Sequence, residues 1–500
     1  MKKNDLLVLI LIFIIIFSII IIKPINNLDE IWNYNTARVI SEGLTPYKDV
    51  SMITTPLLPM VTVIFLKIFA NEVIISRILA AILWTGILFM IYKIFEKLLK
   101  EKNISLIFTA LIGILCRDIY CIDYNVAVLF LALIILNQEL KNITQYNKKQ
   151  DFIIGLLAGL AICTKQSIGA TLAIIVVGYK ILFIENKEQF RQYLKIAVTR
   201  ILGIILPVGI FFVYLILNNA LNDFINYAVL GISTFSNKIK YITLLSNQKI
   251  EIRILSTLMP LSIIIMALTL ITSKIKNKEN ENILNILTVL VYSLSIIIVM
   301  YPISDEIHFL IGGLISIIGL LYIIFLLGKF IYDKLKNNKK IKFYKILTSI
   351  ICVILFAVIL KAGVTNIYNY VKVEKNKNIK HYYNIEISNG LSEKISNIDN
   401  YILQKEEEGK KVYILDAEAA VYMIPINKYN KDYDMFLKGN IGKDGEQGQI
   451  EKIKQKNENE LFLIRKPEIA SNWQTPLNVV NYVRENLEKV DSISIYDVYK

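Results

Sequence analysis

The sequence is poor in the residues that most often build metal and redox sites. Its 500 residues include only two histidines and four cysteines, and the cysteines do not have the spacing of a zinc site. Cys116 and Cys121 are near enough in sequence to pair outside the cell, although spacing alone does not establish a disulfide. We therefore expect no metal site built from cysteine and histidine.

Acidic residues are also in deficit, since 42 Asp and Glu against 56 Lys and Arg give a formal net charge of +14. In a soluble chain such an excess suggests nucleic acid as a partner. Here the lysines form short clusters between apolar runs, which is typical of the cytoplasmic loops that orient a membrane protein. We therefore expect no nucleic-acid partner.

Long apolar runs are what the sequence has in excess. Hydrophobic residues make up 55% of the chain, and the runs 6–22, 283–300 and 346–360 approach the roughly 20 residues that cross a bilayer. Lys23 and Pro24 follow the first run, where a signal peptide would have a small-residue cleavage site. The first run is therefore a spanning anchor, and the sequence predicts a multi-pass protein of the plasma membrane, surrounded by membrane lipids.

About eleven transmembrane helices account for the apolar runs. They are predicted at 5–25, 73–92, 104–118, 124–137, 152–164, 168–184, 200–218, 252–272, 283–301, 308–329 and 344–362. Loops on the side of the N-terminus hold 22 Lys and Arg residues and the opposite loops hold eight, so the N-terminal side is cytoplasmic. The odd number of spans divides the chain into a transmembrane domain, 1–362, and an extracytoplasmic domain, 363–500.

One apolar segment is left out of this count. Residues 56–70 form a run of only about 15 residues that contains Pro56, Pro59 and Lys67. Counting them as a span would invert every later loop and place the lysine clusters outside, against the charge rule. We interpret the segment as an interfacial helix on the outer surface, within a first outer loop of about residues 26–72.

The C-terminal residues have the pattern of a small α/β domain. The predicted strands are 412–415, 461–464 and 493–498. Residues 477–487 carry apolar side chains at helical spacing, and residues 438–449, with four glycines, are interpreted as a turn region. The predicted fold class is an all-α polytopic membrane protein with a small extracytoplasmic α/β domain.

Ionisable residues at the ends of the predicted spans are the informative ones in a membrane protein. Asp29 and Glu30 follow the first span by a few residues, where two carboxylates are well placed to face a cavity at the membrane surface. The alternative is an ordinary solvated loop in which Asp29 caps the start of a helix. The residues alone leave both interpretations open.

A series of further residues follows the carboxylate pair in a fixed order. In the first outer loop they are Ala37, Gly43, Pro46, Tyr47, Asp49, Pro56 and Leu57. Later ones are Arg77, Asp123, Tyr124, Asn125, the glycine-rich stretch 155–169 with Lys165 and Gln166, and Tyr301, Pro302, Asp305, Glu306 and His308. Over residues 1–330 this order resembles the GT-C glycosyltransferases, in the branch that contains the protein O-mannosyltransferases and the lipid A aminoarabinose transferases.

The resemblance implies an enzyme that transfers a sugar from a polyprenyl-phosphate carrier to an acceptor hydroxyl on the outer face of the membrane. A hydroxyl is a poor nucleophile, so a carboxylate must accept its proton as the new bond forms. Asp29 is the expected base, and Glu30 orients it or contacts the acceptor. If the reaction inverts the anomeric carbon, one base is enough and no covalent enzyme intermediate forms.

The leaving lipid phosphate requires fixed cations nearby. Lys165 is the first candidate, because it lies outside against the positive-inside trend; its alternative is a snorkelling side chain at a helix end. Arg77 and Arg117 are further candidates, and Arg77 has the alternative of a structural pair with Asp29 or Glu30.

Five residues are expected to bind the sugar or the acceptor: Asp123, Tyr124, Asn125, Gln166 and His308. Asp123, Tyr124 and His308 have a simpler alternative as polar or aromatic residues of the membrane interface. The segment 222–235 is predicted to form an amphipathic helix that roofs the cavity. No divalent-metal pattern is visible, so a divalent cation, if one binds, is held by Asp29, Glu30 or Asp123 alone.

The acceptor stays open between a protein, a cell-wall polymer and a lipid-linked glycan. A secondary transporter or lipid-linked-sugar flippase is the main alternative function, and it predicts inverted repeats and acidic residues near mid-membrane. The sequence shows no repeat and has its ionisable residues at the outer ends. A catalytically silent scaffold and a surface-polysaccharide polymerase or ligase are further alternatives on the same side of the membrane.

Overall fold

The computed structural model describes residues 3–25, 28–142, 146–235, 238–275, 281–334 and 338–500. Helices make up the first three quarters of the chain. They are α1 (Lys3–Ile21), α2 (Leu28–Ser41), α3 (Leu57–Ile68), α4 (Val73–Leu99), α5 (Lys102–Leu115), α6 (Tyr124–Lys141), α7 (Lys148–Thr164), α8 (Gln166–Gly178), α9 (Lys187–Leu217), α10 (Leu221–Phe224), α11 (Ile250–Ile275), α12 (Glu281–Ile296), α13 (Glu306–Lys334) and α14 (Asn338–Lys372).

Seven of the described helical segments are long and apolar enough to cross a membrane. They are Val73–Leu99, Tyr124–Lys141, Gln166–Phe183, Lys187–Leu217, Ile250–Ser273, Glu281–Met300 and Glu306–Phe330. Shorter apolar helices are Asp5–Ile21, Leu57–Ile68 and Lys102–Leu115. The chain is therefore a multi-pass membrane protein. Every predicted span coincides with a helix, and the count of eleven spans stays a prediction.

The apolar segment 56–70 forms a short helix, α3, which has twelve residues. At 1.5 Å per residue it is about 18 Å long, which is too short for a hydrocarbon core of about 30 Å. It packs against α2 and α4. Its length is the reason for leaving it out of the spans, and its place at the outer surface stays a prediction.

The glycines of α7 permit its close approach to α9. A Cβ atom on Gly155 would overlap the carbonyl oxygen of Arg200, and one on Gly203 would overlap the carbonyl oxygen of Phe152. One turn further along α7, a Cβ atom on Gly159 would lie only 2.5 Å from the side chain of Pro207. The glycine-rich pattern of this helix therefore reflects backbone-to-backbone packing.

A buried ion network joins the end of α6, the start of α7, the 3-10 helix after α8 and the middle of α9, at the end of α6 that is opposite Asp123. Arg200 pairs with Glu139 at 2.6 Å and with Asp151 at 2.7 Å, and Lys180 pairs with Glu139 at 3.2 Å. The four side chains are at most 5% exposed. Two positive and two negative charges balance, which permits their burial in an apolar bundle.

The C-terminal residues form the predicted α/β domain. Its strands are β1 (Lys411–Ile414), β2 (Glu460–Arg465), β3 (Lys489–Ile493) and β4 (Tyr496–Tyr499), and its helices are α15 (Asn389–Glu407), α16 (Ala419–Met423), α17 (Gly445–Lys454) and α18 (Leu477–Asn486). The sheet order is β1-β2-β4-β3, with β1 parallel to β2 and the other pairs antiparallel. The predicted strands 412–415 and 461–464 and the predicted helix 477–487 are confirmed, whereas the predicted strand 493–498 runs across the turn between β3 and β4 and matches β4 only from Tyr496 onward.

Two further details of this domain differ from the sequence prediction. The predicted turn region 438–449 is wrong from Gly445 onward, where α17 begins. β3 was not predicted, because this edge strand is exposed along almost its whole length and lacks an apolar face.

The C-terminal domain rests on α2, the helix that begins with the carboxylate pair. Trp32 donates its indole N–H to the carbonyl oxygen of Ala417 at 2.9 Å. Three residues further along the helix, Asn35 donates its side-chain amide to Asp434 at 2.7 Å. Positions three apart lie on the same face of a helix, so one face of α2 carries the domain.

Candidate functional site

Asp29 and Glu30 are neighbours in the first turn of α2, but their side chains have different partners. Glu30 is buried and accepts hydrogen bonds from Arg77 Nε at 2.8 Å and from Nη2 at 2.9 Å. Asp29 is partly buried, and its carboxylate forms no salt bridge within the described part of the chain. The pair thus provides one anchored carboxylate and one available carboxylate.

Arg77 is fully enclosed by its partners. Besides Glu30, its guanidinium donates to the carbonyl oxygens of Lys23 and Pro24, just before α2, and its side chain is 0% exposed. In the structure, Arg77 therefore forms a structural pair with Glu30, which was the alternative to phosphate binding. The pair fixes the start of α2 against α4.

Four residues distant in sequence provide the charged surroundings of Asp29. They are Asp123, His308, Asp305 and Lys165. Burial raises the pKa of Asp29 to about 7, helped by the charges of Asp123 and Asp305 and opposed by those of His308 and Lys165. The bundle thus brings the starts of α2, α6 and α13 and the α7–α8 connection to one site.

Lys165 is the single residue between α7 and α8. Its ammonium donates to Asn125 Oδ1 at 2.7 Å and lies 4.5 Å from the centre of the Tyr124 ring. Burial lowers the pKa of Lys165 to about 8, and the carboxylates of Asp123 and Asp29 oppose that shift. Lys165 is therefore a cation at neutral pH, held beside two of the predicted sugar-binding residues.

Asp123 has two structural roles, and the first of them was not predicted. Its Oδ1 accepts the backbone N–H groups of Asn125 at 2.7 Å and of Val126 at 3.3 Å, which caps the start of α6. Its negative charge also acts on Asp29. The residue is both a helix cap and part of the acidic surroundings of Asp29.

His308 lies in the first turn of α13 and is oriented by Asp305. The Nδ1 atom of His308 and Oδ1 of Asp305 are 2.8 Å apart, and the same oxygen accepts the backbone N–H of His308 at 2.8 Å. Asp305 therefore belongs to the site, although the sequence analysis did not assign it a role. The feature of the sequence that could have indicated this role is the position of Asp305 within the motif 301–308.

Gln166 connects two loops around the site. Its side-chain amide donates to the carbonyl oxygens of Ile53 and Ala228, each at 2.8 Å. Ala228 belongs to the segment 222–235, which is helical as predicted but consists of α10, the π-helix Ile225–Leu230 and the 3-10 helix Gly231–Thr234 in place of one continuous α-helix. In that segment Tyr227 donates to Asp432 of the C-terminal domain. The segment therefore links this domain to the Lys165 connection.

Arg117 is the predicted site residue that the bundle does not bring to Asp29. Its side chain is 55% exposed, and its partner is Asp118 at 3.5 Å. Nearby, Lys23 donates to the backbone carbonyls of Arg117 and Asp118. Cys116 and Cys121 are separate buried thiols, so they form no disulfide.

The described residues contain no group of three or more His, Cys, Asp or Glu side chains arranged to hold a metal ion. Of the three carboxylates expected to serve a divalent cation, Glu30 is engaged by Arg77. Asp29 and Asp123 are the two that remain for such an ion.

The transmembrane bundle contains an apolar groove with a volume of about 700 Å³. Its walls come from α1, α3, α4 and α6, with Phe13, Val61, Leu83 and Phe130 among them, and Thr164 at the end of α7. Thr164, one of the lining residues, directly precedes Lys165 in sequence. A groove of this kind fits a hydrocarbon chain.

Comparison with solved structures identifies the fold. ArnT from Cupriavidus metallidurans in the apo state matches with 13% sequence identity and a TM-score of 0.55, over 99% of this chain and 97% of that one. ArnT from the same organism bound to undecaprenyl phosphate matches with 12% identity and a TM-score of 0.53, over 100% and 98%. No protein-family model and no curated sequence matches. The chain thus has the ArnT fold, which confirms the resemblance to the lipid A aminoarabinose transferase branch at the level of fold.

Proposed function

We propose that the chain is a membrane glycosyltransferase that moves a sugar from an undecaprenyl-phosphate-type carrier to an acceptor hydroxyl. The observation that carries the proposal is Asp29, a carboxylate with its pKa raised to about 7, whose charge interacts with that of Lys165, the residue directly after Thr164 in the wall of an apolar groove. A base, a cation and a hydrocarbon site side by side are what transfer from a lipid phosphate requires. The ArnT fold, solved in one case with undecaprenyl phosphate, supports the same donor class.

The groove and Lys165 bind the donor in this proposal. The polyprenyl chain lies along the apolar walls near Phe13 and Phe130, and its phosphate lies at the Lys165 ammonium. Tyr124 and Asn125, which already contact Lys165, flank the phosphate and the sugar. A fixed ammonium in a water-poor site stabilises the negative charge that develops on the departing phosphate.

Asp29 is the general base of the proposed reaction. The acceptor oxygen forms a bond to the anomeric carbon while the bond from that carbon to the phosphate oxygen breaks. The hydroxyl proton passes to Asp29, and the phosphate leaves with the bonding electron pair beside Lys165. This single displacement inverts the anomeric carbon and needs one base. Glu30 contributes by holding α2 in place through Arg77.

The reaction is placed on the outer face of the membrane, with the N-terminus in the cytoplasm and the C-terminal domain outside. The distribution of Lys and Arg between the two sets of loops, 22 against eight, supports this orientation. The acceptor reaches Asp29 from the side of the C-terminal domain and is a protein, a cell-wall polymer or a lipid-linked glycan.

Transfer of radiolabelled sugar from a panel of polyprenyl-phosphate donors tests the proposal. Membranes with the wild-type protein, Asp29→Asn or Asp444→Asn are compared, because Asp444 is an exposed aspartate of the C-terminal domain. Label is expected to move with the wild type and Asp444→Asn and not with Asp29→Asn. Full transfer by Asp29→Asn, at equal protein levels, would remove Asp29 as the base.

A further inference from the structure

A second apolar cavity shares no lining residue with the first groove. Its volume is about 530 Å³, and its walls include Met259, Pro260 and Ile263 of α11 and Met300 after α12. Beside it α11 exposes the apolar side chain of Ile264. In a membrane this flank faces hydrocarbon, so lipid is the surrounding medium of the cavity.

The cavity extends into the membrane by about the length of one leaflet. α11 begins at Ile250, so Met259 and Ile263 lie about 14 Å and about 20 Å along the helix axis. Half of a typical hydrocarbon core is about 15 Å. An acyl chain that enters near the start of α11 therefore fits along these side chains.

Two lysines line the mouth of this cavity. The loop between α10 and α11 contains Lys238, Lys240 and Lys249. Lys249 is neutralised by Asp118 and Glu306, each at 2.6 Å. Lys238 and Lys240 are exposed and border the cavity, and over the described ranges neither one pairs with a carboxylate. The mouth thus carries two positive charges that no acidic side chain balances.

An aromatic residue completes the mouth. Tyr301 lines the cavity, is 69% exposed, and has its ring centre 5.7 Å from Lys238 Nζ. Exposed tyrosines beside lysines are typical of the level of the lipid headgroups. Apolar walls below and uncompensated cations at this level are complementary to a lipid with a negatively charged phosphate headgroup.

We propose that this cavity binds one anionic phospholipid of the outer leaflet, distinct from the polyprenyl donor. Its acyl chain lies against Met259, Ile263 and Met300, and its phosphate lies between Lys238 and Lys240. A zwitterionic headgroup is disfavoured because its own cation meets the two ammonium groups. The assignment rests on the proposed orientation of the chain and not on the proposed chemistry of Asp29.

Native mass spectrometry of the purified full-length protein tests this site. The protein is equilibrated in nanodiscs of phosphatidylglycerol and phosphatidylcholine with identical acyl chains, released into detergent, and its retained lipids are counted. A headgroup-level lysine favours an anionic lipid by about 1 kcal/mol, or roughly fivefold. The wild type is expected to retain phosphatidylglycerol preferentially, and Lys238→Gln/Lys240→Gln is expected to reduce that preference by roughly 25-fold, toward equality.

Two controls separate the site from general effects. Lys394→Gln/Lys443→Gln removes the same charge from exposed lysines of the C-terminal domain and is expected to keep the preference. Ile263→Trp fills the cavity and is expected to lose the retained lipid, whereas Ile264→Trp, on the exposed neighbouring position, is expected to keep it. Equal retention of both lipids by the wild type, or an unchanged preference in Lys238→Gln/Lys240→Gln, overturns the proposal. Neither readout depends on sugar transfer.

Discussion

Glu30 and Arg77 form a buried, bidentate ion pair one residue away from Asp29. The pair joins the first turn of α2 to the second turn of α4, and Arg77 also binds the backbone that leads into α2. Two adjacent carboxylates therefore have different duties. Glu30 holds the helix in place, and Asp29 is the carboxylate that we propose as the base.

Breaking the Glu30–Arg77 pair is expected to destabilise the protein. Glu30→Gln leaves a buried guanidinium without its counter-charge, which costs about 3–5 kcal/mol. Thermal unfolding in detergent is expected to show a clear decrease in midpoint, whereas Glu101→Gln, at an exposed position, is expected to show none. The double variant Glu30→Gln/Arg77→Met is expected to regain part of the loss. An unchanged midpoint in Glu30→Gln would contradict a stabilising role for the pair.

The pH dependence of transfer is expected to follow Asp29. Its pKa is raised to about 7, first by burial and then by the charge of Asp123. A base must be deprotonated, so kcat is expected to be at its plateau above that pKa and to fall about tenfold per pH unit well below it. Asp123→Asn removes a negative charge and keeps a good helix cap. It is expected to move the midpoint of the kcat profile to lower pH, and an unmoved midpoint would argue against this assignment.

Removing the Lys165 ammonium is expected to impair use of the lipid donor. A hydrogen bond to a charged group contributes about 1.5–3 kcal/mol, so Lys165→Ala is expected to lower kcat/KM for the polyprenyl donor by roughly 10- to 150-fold. Lys165→Arg keeps the charge and is expected to retain part of the activity. Lys48→Ala, an exposed lysine of the first loop, is the control. If kcat/KM for the donor is the same in Lys165→Ala and Lys48→Ala, the lysine is structural.

The buried network around Arg200 is expected to be essential for stability. Arg200→Ala leaves Glu139 and Asp151 buried without their shared partner, which costs about 3–5 kcal/mol. The matched control is Arg191→Ala on the same helix, where the side chain is exposed. Limited proteolysis in detergent is expected to cleave Arg200→Ala faster than Arg191→Ala and wild type. Equal cleavage of the three proteins would show that the network adds little.

The orientation is tested by reporter fusions. A fusion after residue 370, at the end of α14, is expected to report the outer side, and one after residue 141, at the end of α6, the cytoplasm. The excess of Lys and Arg on one set of loops is the physical reason. A cytoplasmic signal at residue 370 would exclude an extracytoplasmic C-terminal domain.

The helices were predictable because each apolar run is a local property of the sequence. The predicted span 200–218, for example, lies within α9, and the prediction missed only its polar beginning at Lys187. The edge strand β3 was missed for the opposite reason. Its side chains are almost all exposed, so it has neither an apolar run nor an apolar–polar alternation.

The site was predictable only in part, because the pairing of charges depends on the packing of helices. Sequence alone did not decide whether Arg77 contacts a phosphate or a carboxylate, and in the structure Glu30 engages it. The convergence of Asp305 and His308 on Asp29 joins residues almost 280 positions apart. A local sequence pattern cannot show that residues so far apart in sequence lie close together in space. Only the order of the motifs along the chain indicated it.

The contact between the C-terminal domain and α2 has a consequence for protein engineering. Trp32 and Asn35 bind the domain through Ala417 and Asp434, on the same helix that begins with Asp29. The position of Asp29 therefore depends on the same helix that binds the C-terminal domain. A chimaera that exchanges the C-terminal domain between proteins of this fold must carry α2 with it, because a foreign domain on this helix would lose both hydrogen bonds and displace the acid.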